Sequence, residues 1–128
     1  MQKVKGIYDD DGQLLMMATL TYDKPMMGAL FYLGVVSGLR ISDLLALRFE
    51  DVGREFVVTE GKTGKKKRVV LPKEGWQFVQ LYAESKNLAT GDRLFPTTRQ
   101  TVLRYFKRVA NDLGLDGIGT HTMRKTYG

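Results

Sequence analysis

Cysteine is absent from this chain, and histidine occurs once, at His121. The first absence excludes disulfides, thiolate metal sites and a cysteine nucleophile. The second argues against a zinc centre, which draws on three or four His, Cys or carboxylate ligands. Long hydrophobic runs are missing too. The longest uncharged stretch, 25–39, falls short of the ~20 residues a membrane helix needs, and it contains glycines. The opening Met1-Gln2-Lys3-Val4-Lys5 is not followed by an apolar signal core. These absences predict a soluble, unexported, cytoplasmic chain with no membrane partner. Acidic residues are the minority, 14 against 20 Lys and Arg, which leaves a net charge of +6.

What is present suits one globular domain. The 128 residues are 43% hydrophobic and 27% charged, ordinary globular values that argue against disorder and low complexity. A chain of this length buries somewhat over ~60% of its unfolded surface. The positive excess is local. Lys62, Lys65, Lys66, Lys67 and Arg68 crowd one stretch, and Arg99, Arg104, Lys107 and Arg108 another. Such clustering favours a polyanion partner, although a charge run also reads as a solvated face.

Periodicity predicts a mostly helical chain with one hairpin. Asp9-Asp10-Asp11-Gly12 is a turn signal, and Leu14 to Leu20 reads as either a short strand or a helix. A helix is expected after Thr21-Tyr22-Asp23-Lys24-Pro25, with Asp23 as cap and Pro25 in its first turn. Met26 to Val36 is apolar nearly all round, as in a buried helix, and Gly38 breaks the pattern. Ser42 or Asp43 is the candidate cap of the next helix. Phe56-Val57-Val58 and Val69-Val70-Leu71 are β-type runs, with Lys62-Thr63-Gly64-Lys65 as the hairpin tip. A helix is expected from Trp76 through about Lys86. Another, capped by Thr97 or Thr98, carries Val102, Leu103, Phe106, Val109, Ala110 and Leu113 at helical spacing, with Gly114 as its stop. Thr120 is placed to cap a final helix starting at His121.

Four side chains suggest phosphodiester chemistry. Arg40 lies in a glycine-flanked turn before a helix, where backbone donors are free. Lys62 lies at the hairpin tip, from which an ammonium can reach a leaving oxygen and protonate it. His121 and Arg124 are three residues apart and share a helix face. Two guanidinium forks are able to clamp both non-bridging oxygens and stabilise charge as phosphorus becomes five-coordinate. Taken singly, Arg40 also reads as an ion-pair residue, Lys62 as a solvated turn lysine, and His121 as a local hydrogen-bonding group. Gly61-Lys62-Thr63 suggests a phosphate loop, but the glycine required five residues earlier is Phe56.

The stretch Gly38-Leu39-Arg40-Ile41-Ser42-Asp43-Leu44-Leu45-Ala46-Leu47-Arg48-Phe49-Glu50-Asp51-Val52 resembles the first arginine box of the tyrosine recombinases, or phage-type integrases. Gly61-Lys62-Thr63-Gly64 followed by Arg68-Val69-Val70-Leu71-Pro72 resembles the family's lysine-bearing hairpin, and His121-Thr122-Met123-Arg124 its second box. The resemblance implies an α+β, mostly helical catalytic domain with a small antiparallel sheet, over 21–128, preceded by an N-terminal extension over 1–20. It implies that Arg40 and Arg124 hold the scissile phosphate. Lys62 would protonate the 5′-hydroxyl leaving group, His121 would share proton handling, and Asp43 would support the site. The implied chemistry uses a tyrosine nucleophile and a 3′-phosphotyrosyl bond, with no cofactor and no metal. Implied partners are double-stranded DNA and further subunits assembling as a multimer on it.

The family's third box, which carries the nucleophilic tyrosine, has no counterpart through Gly128. A truncated domain without its nucleophile is therefore expected; Tyr127 reads as a core residue of its helix. Lys65, Lys66, Arg104, Lys107 and Arg108 are the candidate contacts to the DNA backbone, which position a protein without reading sequence. The leading alternative is a non-catalytic DNA-binding regulator. An RNA-binding protein ranks lower, because the aromatics fall on apolar faces rather than among the basic residues. The phrasing of the first box also favours integrases over type IB topoisomerases.

Overall fold

The structure is a computed structural model that describes residues 10–115. Five helices and one hairpin follow in order: α1 (Asp10–Asp23), α2 (Pro25–Ser37), α3 (Ile41–Ala46), β1 (Glu55–Thr59), β2 (Lys66–Val70), α4 (Lys73–Ser85) and α5 (Arg99–Asp112). A single 3-10 turn, Phe49–Asp51, links α3 to the hairpin. The expected α+β, mostly helical architecture is the one observed.

Helix α2 runs through the middle of the core. Met27, Ala29, Leu30, Phe31 and Leu33 are at most 2% exposed, so the helix is covered on most sides, as its apolar composition requires. Phe31 meets Phe106 of α5 edge to face at 5.6 Å. Proline occupies the first turn of α2, where its missing N–H costs nothing, and Gly38 ends the helix in a left-handed conformation (φ 69°). Helix α1 packs against α2 and sends Met16 and Leu20 fully into the same core.

Two expected caps are corrected. Asp23 does not cap α2. It is the last residue of α1, and Lys24 is the cap residue of α2, with no side-chain bond. The Asp23 carboxylate instead accepts a hydrogen bond from the Tyr105 hydroxyl of α5. Neither Ser42 nor Asp43 caps α3, because Arg40 holds that position. The Asp43 carboxylate is drawn off by the hairpin loop. Thr98 does cap α5, its hydroxyl accepting from Thr101 N at 3.2 Å. Helix α4 starts at Lys73, three residues before the expected Trp76, with Pro72 as its cap residue.

The hairpin strands pair antiparallel, from Glu55 opposite Val70 to Thr59 opposite Lys66. Phe56, Val58 and Val69 point to the core, and Glu55, Val57, Arg68 and Val70 point outward. Segment 91–95 is sewn to the end of α3. Leu94 N donates to Leu47 O at 2.9 Å, Phe49 N to Asp92 O at 2.8 Å, and Arg93 Nη2 to Leu45 O at 2.7 Å.

Candidate phosphate-binding site

Arg40 stands at the junction of α2 and α3 in a turn with little freedom. Gly38 N donates to Gly34 O at 2.9 Å. The Ser37 hydroxyl donates to Leu33 O at 2.5 Å and accepts from Leu39 N at 3.1 Å. Leu39 and Ile41, on either side of Arg40, are 1% and 4% exposed. The backbone of Arg40 is thus held by two buried neighbours, and its carbonyl accepts from Asp43 N and Leu44 N at 3.0 Å each. The side chain is half-buried, and Nη1 is out of water with no hydrogen-bond partner among the described residues. A buried guanidinium nitrogen left unpaired is costly, and an anionic oxygen is the acceptor that offsets most of that cost.

Asp43, one turn along α3, ties the arginine box to the hairpin. It is 8% exposed, and its Oδ1 accepts from Gly61 N at 3.0 Å. The bond joins positions 18 residues apart and sets the loop immediately before Lys62. Within the tip, Glu60 N donates to Lys65 O and Gly64 N to Glu60 O, each at 2.8 Å. Lys65 N donates to the Thr63 hydroxyl at 3.2 Å, and Gly64 takes a left-handed turn (φ 71°) that suits glycine. Lys62 stays exposed on this framed tip. The second Asp43 oxygen, Oδ2, is buried without a partner among the described residues. Beside it opens a cavity of about 300 Å³ lined by Asp43, Ala46, Leu47, Asp51, Val57, Val58 and Thr59.

The structure therefore joins Asp43, one turn after Arg40, to the loop that carries Lys62. His121 and Arg124, like Tyr127 and the expected cap Thr120, lie outside the described residues. Lys65 and Lys66 are exposed on the hairpin. Arg104, Lys107 and Arg108 are exposed on α5, whose other face buries Val102, Tyr105, Phe106, Val109 and Ala110. Among the described residues, no three His, Cys, Asp or Glu side chains are grouped to hold a metal, and no helix is long and apolar enough to cross a membrane.

Two features escaped the sequence. One is the Asp43–Gly61 bond. The other is the Tyr105 environment, where the hydroxyl meets Asp23 from 82 residues away. Burial first, and then the Asp23 bond, push the Tyr105 hydroxyl up to about 12. No local spacing rule reaches across either separation.

The chain is a helical α+β domain with an arginine at a helix start and, one turn on, a carboxylate bonded to a lysine-bearing hairpin. The family model described as Phage integrase family matches residues 7–128, and the chain belongs to that family. It is 36% identical over 108 residues to the probable integrase/recombinase YoeC of Bacillus subtilis (strain 168), an alignment covering 77% of this chain and 59% of that protein. The chain thus spans somewhat more than half the length of this relative. The lambda integrase catalytic core matches with a TM-score of 0.77 at 21% identity, over 98% of this chain and 81% of that one. A lambda integrase dimer bound to a COC′ core site matches at 0.74 and 20% identity, over 99% and 41%. XerA recombinase matches at 0.73 and 19% identity, over 99% and 50%. These likenesses show the fold of the integrase catalytic core.

Proposed function

We propose that this chain carries the phosphate-binding side of a DNA strand-transfer site in a site-specific tyrosine recombinase. Arg40 and Arg124 clamp the scissile phosphate. Lys62 gives its proton to the departing 5′-oxygen, His121 shares the proton handling, and Asp43 holds the lysine loop against the arginine turn. The attacking tyrosine forms the phosphotyrosyl bond as the 5′-oxygen leaves, so the bond energy is retained for rejoining. The parent works on double-stranded DNA as a multimer, in the cytoplasm of a bacterial or phage-infected cell. Lys65, Lys66, Arg104, Lys107 and Arg108 contact the DNA backbone. The DNA-bound dimer of lambda integrase is the kind of assembly this reading expects.

One observation supports the reading most: Gly61 N–H bonds the carboxylate of Asp43, one helical turn along the chain from an arginine whose Nη1 is buried without a partner among the described residues. None of the described tyrosines is placed to attack. The Tyr82 hydroxyl is buried and donates to Leu94 O at 2.7 Å, the Tyr105 hydroxyl is bound to Asp23, the Tyr32 ring packs edge to face on Phe78 at 5.6 Å with its hydroxyl against Gly75 of α4, and Tyr22 lies at the far end of α2 from Arg40. These 128 residues alone are expected to bind duplex DNA in a salt-sensitive way without covalent attachment.

The test uses a nicked suicide duplex, on which a covalent adduct is trapped and resolved by denaturing electrophoresis, with filter binding alongside. The expected result is no adduct, and a loss of binding in Arg40→Ala larger than in Lys107→Ala. An adduct that disappears in Tyr127→Phe would show that the chain holds its own nucleophile. Equal losses in Arg40→Ala and Lys107→Ala would favour a regulator without a phosphate clamp.

A further inference from the structure

We infer that the cleft where α5 crosses the start of α2 is a second anion site, built to hold one phosphate of the DNA backbone away from the reacting one. This inference rests on the reading that the partner is duplex DNA. The cleft has a volume of about 200 Å³ and is lined by Lys24, Met27, Thr101, Arg104, Tyr105 and Arg108. Water occupies roughly 30 Å³ per molecule, so the space admits a phosphate group with some of its hydration.

The side chains are organised about the Tyr105 ring. Thr101, Arg104, Tyr105 and Arg108 follow the helical i, i+3, i+4, i+7 rule and so share one face of α5. Lys24 approaches from the α1–α2 junction, its Nζ 5.1 Å from the ring centroid. The Arg108 guanidinium carbon is 5.2 Å from the same centroid. A ring face attracts cations without neutralising them, so the two charges are held together and left available. The hydroxyl donates to Asp23, which fixes the ring's orientation. With its pKa pushed up to about 12 by burial, the phenol stays neutral and adds no negative charge to the cleft.

The local charge is unbalanced. Among the described residues, Lys24, Arg104 and Arg108 make no ion pair with a carboxylate, and the cleft they line includes no acidic side chain. Gathering like charges is unfavourable unless an anion enters. An arginine fork gives two parallel bonds to phosphate oxygens, and the lysine adds a compact charge from the other wall.

Location sets what this anchor does. Lys24 is at the N-terminal end of α2 and Arg40 lies beyond its C-terminal end. The 13 residues of α2 span roughly 20 Å at ~1.5 Å per residue. Measured along the axis of duplex DNA, that is roughly six base-pair steps at ~3.4 Å each. The cleft therefore acts as a second fixed point that sets the angle of the domain on the duplex.

The experiment is fluorescence anisotropy of the full chain with a labelled duplex across a salt series. Lys24→Ala and Arg108→Ala are each expected to weaken binding about fivefold, the upper range for an exposed charge pair. Each should also lower the slope of log affinity against log salt by about 0.9. Arg108→Lys should keep the slope while losing part of the affinity. The charge control Lys73→Ala, an exposed lysine on α4, should change neither. Duplexes with one neutral methylphosphonate moved along the backbone should show a sensitive position that the Lys24→Ala/Arg108→Ala double variant no longer senses. If Lys24→Ala and Arg108→Ala match Lys73→Ala while Arg40→Ala still weakens binding, the cleft is refuted and the DNA reading stands. If the wild-type chain binds no duplex, the DNA reading falls and takes the DNA ligand with it. Pyrophosphate titration, read in the Tyr105 amide shift, would then show whether the cleft takes phosphates from another source; no shift would reject an anion site altogether.

Discussion

Arg40 sits between Leu39 and Ile41, 1% and 4% exposed, whereas Lys62 sits between Gly61 and Thr63, both exposed. The arginine is positioned by packing, because its neighbours are part of the core and cannot shift without opening it. The lysine is positioned by one hydrogen bond from Gly61 to Asp43 and by the turn bonds of its tip. The difference matches the chemistry proposed for each. A clamp that stabilises developing charge works best when it is already in place, since reorganising it during the reaction would add to the barrier. A proton donor on a four-carbon stem needs reach, and a tethered tip supplies reach without a fixed end point.

The comparison is broken most severely from the arginine side. Leu39→Ala removes a side chain that is 1% exposed and is expected to cost about 2–5 kcal/mol, measured by urea unfolding. Phosphate affinity should fall with it, because the turn loses its anchor. An unchanged midpoint would mean that packing does not hold Arg40.

A smaller effect is expected on the lysine side. Asp43→Ala takes away the acceptor of Gly61 N–H, and the Gly61 amide should exchange with solvent about tenfold faster, as expected for losing a bond of net ~1.4 kcal/mol. Asp43→Asn keeps a carbonyl oxygen at that position and should restore most of the protection. If exchange at Gly61 is the same in all three proteins, the tether does not exist in solution.

The smallest effect sharpens the comparison with a third residue, one held from a distance by both packing and a bond. Tyr105→Phe keeps the ring and loses the bond to Asp23, an expected cost of about 0.5–1.5 kcal/mol by thermal unfolding. The pH dependence has a definite sign. Tyr82 and Tyr105 are pushed up to about 12 from an ordinary 10.0, so the folded chain retains phenolic protons that the unfolded chain releases. Stability should be level below pH 10 and fall as pH rises from there to about 12. In Tyr105→Phe the fall should be shallower, with tyrosinate absorbance reporting the remaining transition.

Local rules read some elements well and others badly, for physical reasons. Helix α5 was legible because its apolar residues keep to one face and Thr98 ends the chain's extended approach. The hairpin was legible from two β-branched runs around a glycine-containing tip. Helix α1 was ambiguous because its apolar residues do not share a face: Leu14 is 70% and Leu15 40% exposed, while Met16 and Leu20 are fully buried. The caps at Asp23 and Asp43 were misread for a common reason. A carboxylate bonds the nearest unsatisfied donor in space, and for both residues that donor came from another element, Tyr105 in one case and Gly61 in the other.

The order of residues alone decided which side chains are available: two guanidinium groups, an ammonium and an imidazole in boxes whose spacing matches the integrases, on a chain too short of cysteine and histidine for thiol or zinc chemistry. That follows because residue type and short-range periodicity are written in the chain itself. Tertiary structure decided which of those groups meet. It drew the Lys62 loop to Asp43, and it set Lys24 and Arg108 over one tyrosine ring in a cleft that Arg104 also lines. Contacts between distant positions depend on how helices pack, and packing is set by the whole core rather than by any local stretch.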